Sequence, residues 1–324
     1  MKEDSTPRPS VVVSRCLGFD SCRYNGQTIP DSFVDLLGDH VDYVTVCPEV
    51  EIGLGVPRQP IRIAMEDDER ALFQPSTGRD VTAEMTGFVD EFLSSLEDID
   101  GFLLKNRSPS CGITDVKIFN SKGRDAQSTR GAGFFGGEVQ ARFPLAAVED
   151  EGRLKSYDIR HHFLTRLYAA ARFRAAHESG RMRDIIDFHS RYKLLFMAYN
   201  QSRYRACGKI VANHDKLPVE EVYDAYADEM AFLLERQPKY TSMINTLQHA
   251  LGWVSEGLSA GERKEFLDLI EEYRDERIPL VTLLRLIRTW AVRFENDYLM
   301  NQYLLQPFPM ELVRMADSGK GRPA

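Results

Sequence analysis

The chain has 324 residues, more than the ~250–300 at which a single hydrophobic core usually stops growing, so two domains are expected. Apolar residues at 43% and charged residues at 28% exclude collagenous, low-complexity and wholly disordered classes. The net charge of −8 is unevenly placed: residues 1–150 carry 15 Lys/Arg against 25 Asp/Glu, while 151–209 carry 13 against 5.

In chain order, Val11-Val12-Val13-Ser14 is a short β-branched run that ends at Cys16, and Tyr43-Val44-Thr45-Val46 is another that ends at Cys47-Pro48. Ile61-Arg62-Ile63 is a third candidate strand. Asp80 or Thr82 caps a helix whose apolar stripe is Met85, Phe88, Val89, Phe92 and Leu96. Gly101-Phe102-Leu103-Leu104 follows as a fourth strand, and strands alternating with helices predict a parallel-sheet α/β domain. Gly131–Gly137 is glycine-rich without the dinucleotide fingerprint and reads as a mobile loop over the site. From about Tyr157 the pattern changes to long 3.6-residue periods: a helix at 157–177, then Ile185–Tyr199, Val219–Glu235, Tyr240–Ser255, Ala260–Tyr273 and Val281–Phe294. Gly180, Pro218, Pro238, Gly257 and Pro279 punctuate these segments. The expected layout is an α/β domain at 8–150, a helical linker at 151–184, an all-helical domain at 185–312 and a frayed tail at 313–324.

No stretch approaches the ~20 apolar residues of a membrane span, and the first ten residues hold no apolar signal core, so a cytoplasmic location is expected. The basic segment 151–209 could be a nucleic-acid surface, but the overall acidity argues against a dedicated nucleic-acid binder, and a solvated or docked helix face is the simpler reading. Arg160-His161-His162 likewise reads as helix surface. Asn245 and His249, like His189 and Lys193, are four apart and could line a polar pocket.

Cysteine is more informative. Cys16, Cys22, Cys47 and Cys111 fall in the first 111 residues, and only Cys207, read as a buried thiol, falls beyond. Cys16 and Cys47 follow strands directly, and Cys111 follows a strand by a short loop. Loops leaving the carboxyl ends of parallel strands gather in one crevice, so three thiols distant in sequence are expected to converge there. Soft metals and iron–sulfur clusters require such donors, although independent buried thiols would give the same sequence. Paired Cys-x(2–4)-Cys knuckles of structural zinc are missing; the nearest approach is Cys16-x5-Cys22.

The flanking residues carry a resemblance. Val13-Ser14-Arg15-Cys16-Leu17-Gly18 with Cys22-Arg23-Tyr24-Asn25-Gly26, then Cys47-Pro48-Glu49, Gly53-Leu54-Gly55-Val56-Pro57-Arg58, Gly78-Arg79-Asp80-Val81-Thr82 and Lys105-Asn106-Arg107-Ser108-Pro109-Ser110-Cys111-Gly112 occur in that order. Over about residues 10–145 the chain resembles the domain-of-unknown-function family 523, whose characterised members are thiouracil desulfidases. The resemblance implies a [4Fe-4S] cluster held by Cys16, Cys47 and Cys111, with an open iron that takes the sulfur of a small thiolated substrate. It also implies Glu49 and Ser108 as catalytic groups. Cys22 is left as a fourth ligand, a sulfur acceptor or a structural thiol, and Arg58 as a contact for a substrate anion or a surface residue. The second half resembles the YbgA-like domain-of-unknown-function family 1722 through Phe188-His189-x3-Lys193, Tyr204, Gly208-Lys209, Asn245-x3-His249-x2-Gly252, Ile278-Pro279-Leu280 and Gln302-Tyr303-Leu304. Together these imply a desulfidase acting on a thiolated nucleobase or thioamide, with a modified tRNA as a larger candidate. The competing readings are a sensor or interaction protein whose helical domain meets a partner or nucleic acid, and a zinc-stabilised module without catalysis.

Overall fold

The computed structural model describes residues 7–123 and 125–314; the tail expected to fray lies outside them from 315 onward. Two compact units are present, one of Met1–Ala171 with Leu312–Ala324 and one of Arg172–Glu311.

The first unit opens with β1 (Ser10–Ser14), α1 (Ser32–Gly38), β2 (Asp42–Val46) and α2 (Pro48–Glu51). It continues through β3 (Arg62–Glu66), β4 (Glu69–Phe73), α3 (Thr82–Ser94), β5 (Gly101–Leu104), β6 (Val116–Phe119) and β7 (Ser128–Gly131). It closes with α4 (Phe134–Arg142), β8 (Ala147–Asp150) and the start of α5 (Tyr157–Glu178). Four strands form a parallel sheet in the order β2-β1-β5-β8. Val11, Val12, Val13 and all of β5 are buried, as a central strand covered on both faces requires. The register pairs Ser14 with Val46, which brings the ends of β1 and β2 level and sets Cys16 beside Cys47.

The expected parallel α/β sheet is therefore present, but the third candidate strand does not belong to it. Residues 62–66 enter a second, mixed sheet in the order β4-β3-β6-β7, antiparallel at both outer pairs and parallel in the centre. The reason is local: Asp67 and Asp68 both take positive φ, 49° and 65°, and fold β3 straight back on β4 as a hairpin. A core of Val12, Ile63, Leu72, Met85, Val89, Phe102, Leu104 and Phe135 joins strands to helices. On α3 the buried stripe is Met85, Val89 and Leu93, one helical turn apart each time. The Asp80 carboxylate accepts from Thr82 N at 2.9 Å, whereas the Thr82 hydroxyl accepts from Leu72 N at 2.8 Å and ties the helix to β4.

The glycine-rich stretch is not a mobile loop; it is the entry to α4. Gly133 caps the helix, and the N–H groups of Gly133, Phe134 and Phe135 donate to the carbonyls of Gly112, Pro109 and Ser110 at 2.7–3.1 Å. A methyl at Gly133 would stand 2.7 Å from the Pro109 carbonyl and one at Gly136 2.6 Å from that of Cys111. Only glycine allows the helix to approach the cysteine loop so closely.

The second unit is helical: α6 (Met182–Tyr199), α7 (Gln201–Ala212), α8 (Val219–Leu233), α9 (Tyr240–Gly252), α10 (Ala260–Arg274), α11 (Leu280–Arg293) and α12 (Asp297–Met300). Its core is aromatic, with Phe188, Tyr192 and Phe196 of α6 stacked in series at 4.4–4.9 Å between adjacent centroids. Ser259 and Glu262 form a reciprocal capping box on α10. The sequence pattern does not predict α7, whose only buried residues are Cys207 and Val211. It starts because the Asn200 side chain accepts from Arg203 N at 3.2 Å. Among the described residues, no helix is long and apolar enough to cross a membrane.

Candidate active site

The carboxyl ends of β1, β2 and β5 open on a cavity of about 440 Å³. Cys16 lies two residues past β1, Cys47 is the N-cap of α2, and Cys111 sits in the loop after β5; all three line the cavity, as does Cys22. The loops are tied together at their roots: Arg15 N donates to Val46 O at 2.8 Å, and Lys105 N donates to the Ser14 hydroxyl at 2.9 Å. The Ser14 hydroxyl also reaches the Cys111 thiol.

The four thiols are buried and mostly in one another's company. Cys22 is 2% exposed, its carbonyl accepts from the Cys47 thiol at 3.8 Å, and its own thiol is pushed up to about 11, chiefly by a hydrogen bond with the free Cys16 thiol. The Cys47 thiol is raised by its bond to Cys22 and by burial, and burial pushes Cys111 up to about 12. Among the described residues, no three His, Cys, Asp or Glu side chains stand close enough to hold a single metal ion. The donor set is soft, sulfur-only and spread over three separate loops, which fits a multi-iron cluster better than a lone hard cation. Cys16, Cys47 and Cys111, together with Cys22 on the same cavity, are the residues that could hold it.

Glu49 is in the single turn of α2, with Pro48 at the first helical position, where a missing N–H costs no helical hydrogen bond. Its two oxygens are engaged on opposite sides. Oε2 accepts from Arg58 Nε at 2.9 Å, and Oε1 accepts from the Ser110 hydroxyl at 2.8 Å and the Ser108 hydroxyl at 3.5 Å. The two serine hydroxyls are 2.9 Å apart. Ser108 Oγ also accepts from the N–H groups of Ser110 and Cys111, at 3.3 and 3.2 Å, so the residue is at once a turn former and part of the cavity wall.

Ser110 escapes sequence reasoning, because it gives no signal beyond its place in the motif. Arg58 is not a surface residue: its side chain is 4% exposed and paired with Glu49.

A profile of the family described as 2-thiouracil desulfurase matches residues 11–151. The protein YbbK of Bacillus subtilis (strain 168) is 33% identical over 109 residues, covering 32% of this chain and 72% of that protein. The chain belongs to the 2-thiouracil desulfurase family. A second profile, described as a protein of unknown function (DUF1722), matches residues 193–309. YbgA of Escherichia coli (strain K12) is 28% identical over 158 residues, 48% of this chain and 93% of that protein. A solved chain described as the [4Fe-4S]-dependent thiouracil desulfidase TudS is 30% identical over 45% of this chain and 93% of its own, with a TM-score of 0.38. This desulfurase-family chain thus joins the family's α/β region to an all-helical one.

In the helical unit His189 and His249, both singled out for a polar pocket, have different surroundings. His189 stacks on Tyr204, with centroids 5.0 Å apart, and shares a hydrogen bond with the Tyr226 hydroxyl at 3.0 Å. Burial, with Lys193 nearby, lowers it to about 4. Asn245 and His249 are exposed, and His249 lines a shallow groove with Trp253 and Phe294 instead. Cys207 is fully buried, which pushes its thiol up to about 12. Arg160 is not surface: it is 5% exposed and donates to the Leu154 and Arg314 carbonyls at 2.6 Å each.

Proposed function

We propose that this chain is a desulfidase that replaces the sulfur of a thiolated nucleobase, or a related thioamide, with oxygen from water, without net redox change. The observation that carries the reading is the common cavity: Cys16, Cys47 and Cys111 meet Glu49 and Ser108 around a space the size of a small-molecule site. The family's description as 2-thiouracil desulfurase supports the same substrate class. Cys16, Cys47 and Cys111 would hold a [4Fe-4S] cluster, which would supply a Lewis acid for the substrate sulfur.

The chain's own groups supply the rest. Glu49 and Ser108 both line the cavity, so a water placed there can have its proton managed. Glu49 is the acceptor for the proton that water loses as it adds to the thiocarbonyl carbon. Its carboxylate stays in place because Arg58 holds one oxygen and the serine loop the other. Ser108, with its oxygen fixed by two backbone N–H groups, directs its hydroxyl proton toward the carboxylate side and orients the water or the departing sulfide. Sulfide and the oxo base are the products, and the two protons of water are both accounted for in hydrogen sulfide.

The test is iron, sulfide and zinc analysis on anaerobically purified protein, followed by assay of sulfide release from 2-thiouracil, 4-thiouracil and an oligoribonucleotide containing 4-thiouridine. About four iron and four sulfide per chain, with sulfide released from at least one substrate, is expected. Zinc in place of iron, or iron with no sulfide release from any of the three, would overturn the proposal.

A further inference from the structure

We infer that Arg58 is a positioning residue of this site: its guanidinium clamps Glu49 to the backbone of the Cys22 loop and so aims the carboxylate at the serine loop. The inference rests on the desulfidase reading for its consequence, but its geometry stands apart from it.

Glu49 sits in a helix of four residues, too short to orient a carboxylate through its own backbone. Arg58 does so from outside. Its Nε donates to Glu49 Oε2 at 2.9 Å, while Nη1 donates to the carbonyls of Cys22 at 2.8 Å and Gly55 at 3.0 Å. The Arg58 backbone N–H also donates to Tyr24 O at 2.8 Å, a second tie to the same loop. One residue therefore fixes, relative to each other, the loop bearing Cys22 and the turn bearing Cys47 and Glu49. With Oε2 occupied, Oε1 is the oxygen that faces Ser110 and Ser108.

The residue type matters. A buried guanidinium is costly unless paired and hydrogen-bonded, and here Nε and Nη1 are both spent on protein acceptors. A planar fork can hold a carboxylate along one edge and carbonyls along another at fixed relative angle. An ammonium cannot, being a point charge on a flexible stem. Arg58 acts through Glu49 rather than on substrate.

A double-mutant cycle on the intact protein decides the matter, using Arg58→Lys, Glu49→Gln and the pair. Iron and sulfide content, kcat, KM and the thermal midpoint are read for each. Arg58→Lys is expected to keep its iron and sulfide, hold KM within about twofold and lose about 10²-fold in kcat, the order of effect of a misplaced catalytic group. In the Glu49→Gln background the same change is expected to cost less than about threefold, because the group it positions is gone. If Arg58→Lys does not fold, Arg58→Ala with added guanidinium ion replaces it; recovery of kcat supports the clamp and no recovery overturns it. Additive losses in kcat, or an unchanged kcat in Arg58→Lys, would also overturn it. Should the wild-type protein release no sulfide from any thiolated base, the desulfidase reading fails. The thermal midpoints then still decide the clamp: coupling between Arg58 and Glu49 upholds it and additivity removes it.

Discussion

The Ser110 hydroxyl donates to Glu49 Oε1 at 2.8 Å, closer than Ser108 at 3.5 Å. Ser110 is 1% exposed and Ser108 only half-buried, so the serine nearest the carboxylate is the inner one of the loop. Ser110→Ala should therefore lower kcat by about 10–10²-fold with little change in KM, at or below the lower end of direct acid–base contributions, as suits a group acting through Glu49. Ser108→Ala, which also removes the acceptor for two backbone N–H groups, should lower kcat and soften the loop. Steady-state sulfide release read beside thermal midpoints separates the two; a Ser110→Ala enzyme with wild-type kcat would remove Ser110 from the network.

The cysteines should divide into two kinds. Cys16→Ser, Cys47→Ser and Cys111→Ser are each expected to lose most of the iron and all activity, since each removes one proposed thiolate from a three-ligand set. Cys22→Ser is expected to keep its iron, with a changed visible spectrum because its neighbours Cys16 and Cys47 lose a hydrogen-bonded thiol. Iron retained together with activity in Cys47→Ser or Cys111→Ser would exclude the ligand set.

Gly136→Ala tests how the cysteine loop is held. The added methyl would lie 2.6 Å from the Cys111 carbonyl, so α4 must withdraw from the loop it supports. A loss of about 1–3 kcal/mol in stability is expected from such overpacking, with weaker retention of iron. Gly137→Ala, whose methyl meets only the Ala132 side chain at 3.4 Å, is the control and should be close to neutral. Equal midpoints for the two variants would show that the close approach is unimportant.

Asp150, at the end of β8, predicts a pH dependence of stability. Burial, aided by Glu149 and Glu151, raises its carboxyl from 3.8 to about 6. Between these values the folded chain binds a proton that the unfolded chain does not, so this group's contribution falls as pH rises through that window and is lost above about pH 6. Asp150→Asn should stabilise the protein at pH 7.5 by about 1–3 kcal/mol and change little at pH 4. Denaturant midpoints at both pH values provide the check, and a destabilised variant at pH 7.5 would contradict the sign.

From the sequence alone one can read which residues are candidates for the chemistry and on what kind of element they stand. Runs such as Val11–Val13 must be strands buried on both faces, three of the four lead to a cysteine at their end or in the loop after it, and parallel strands deliver their carboxyl-terminal loops to one edge. Helical periodicity likewise placed six of the later helices, with boundaries within a few residues, because burying an apolar stripe demands it. The remainder depends on which loops touch. Ser110 and Glu49 are sixty-one residues apart, and no local pattern records that their side chains meet. Arg58 looks like a turn arginine until the Cys22 carbonyl and Glu49 are seen around it. The glycines at 133 and 136 look like slack until the Pro109–Gly112 carbonyls are found against them. Periodicity reports the face an element buries; the partner across that face is set by packing between segments distant in the chain.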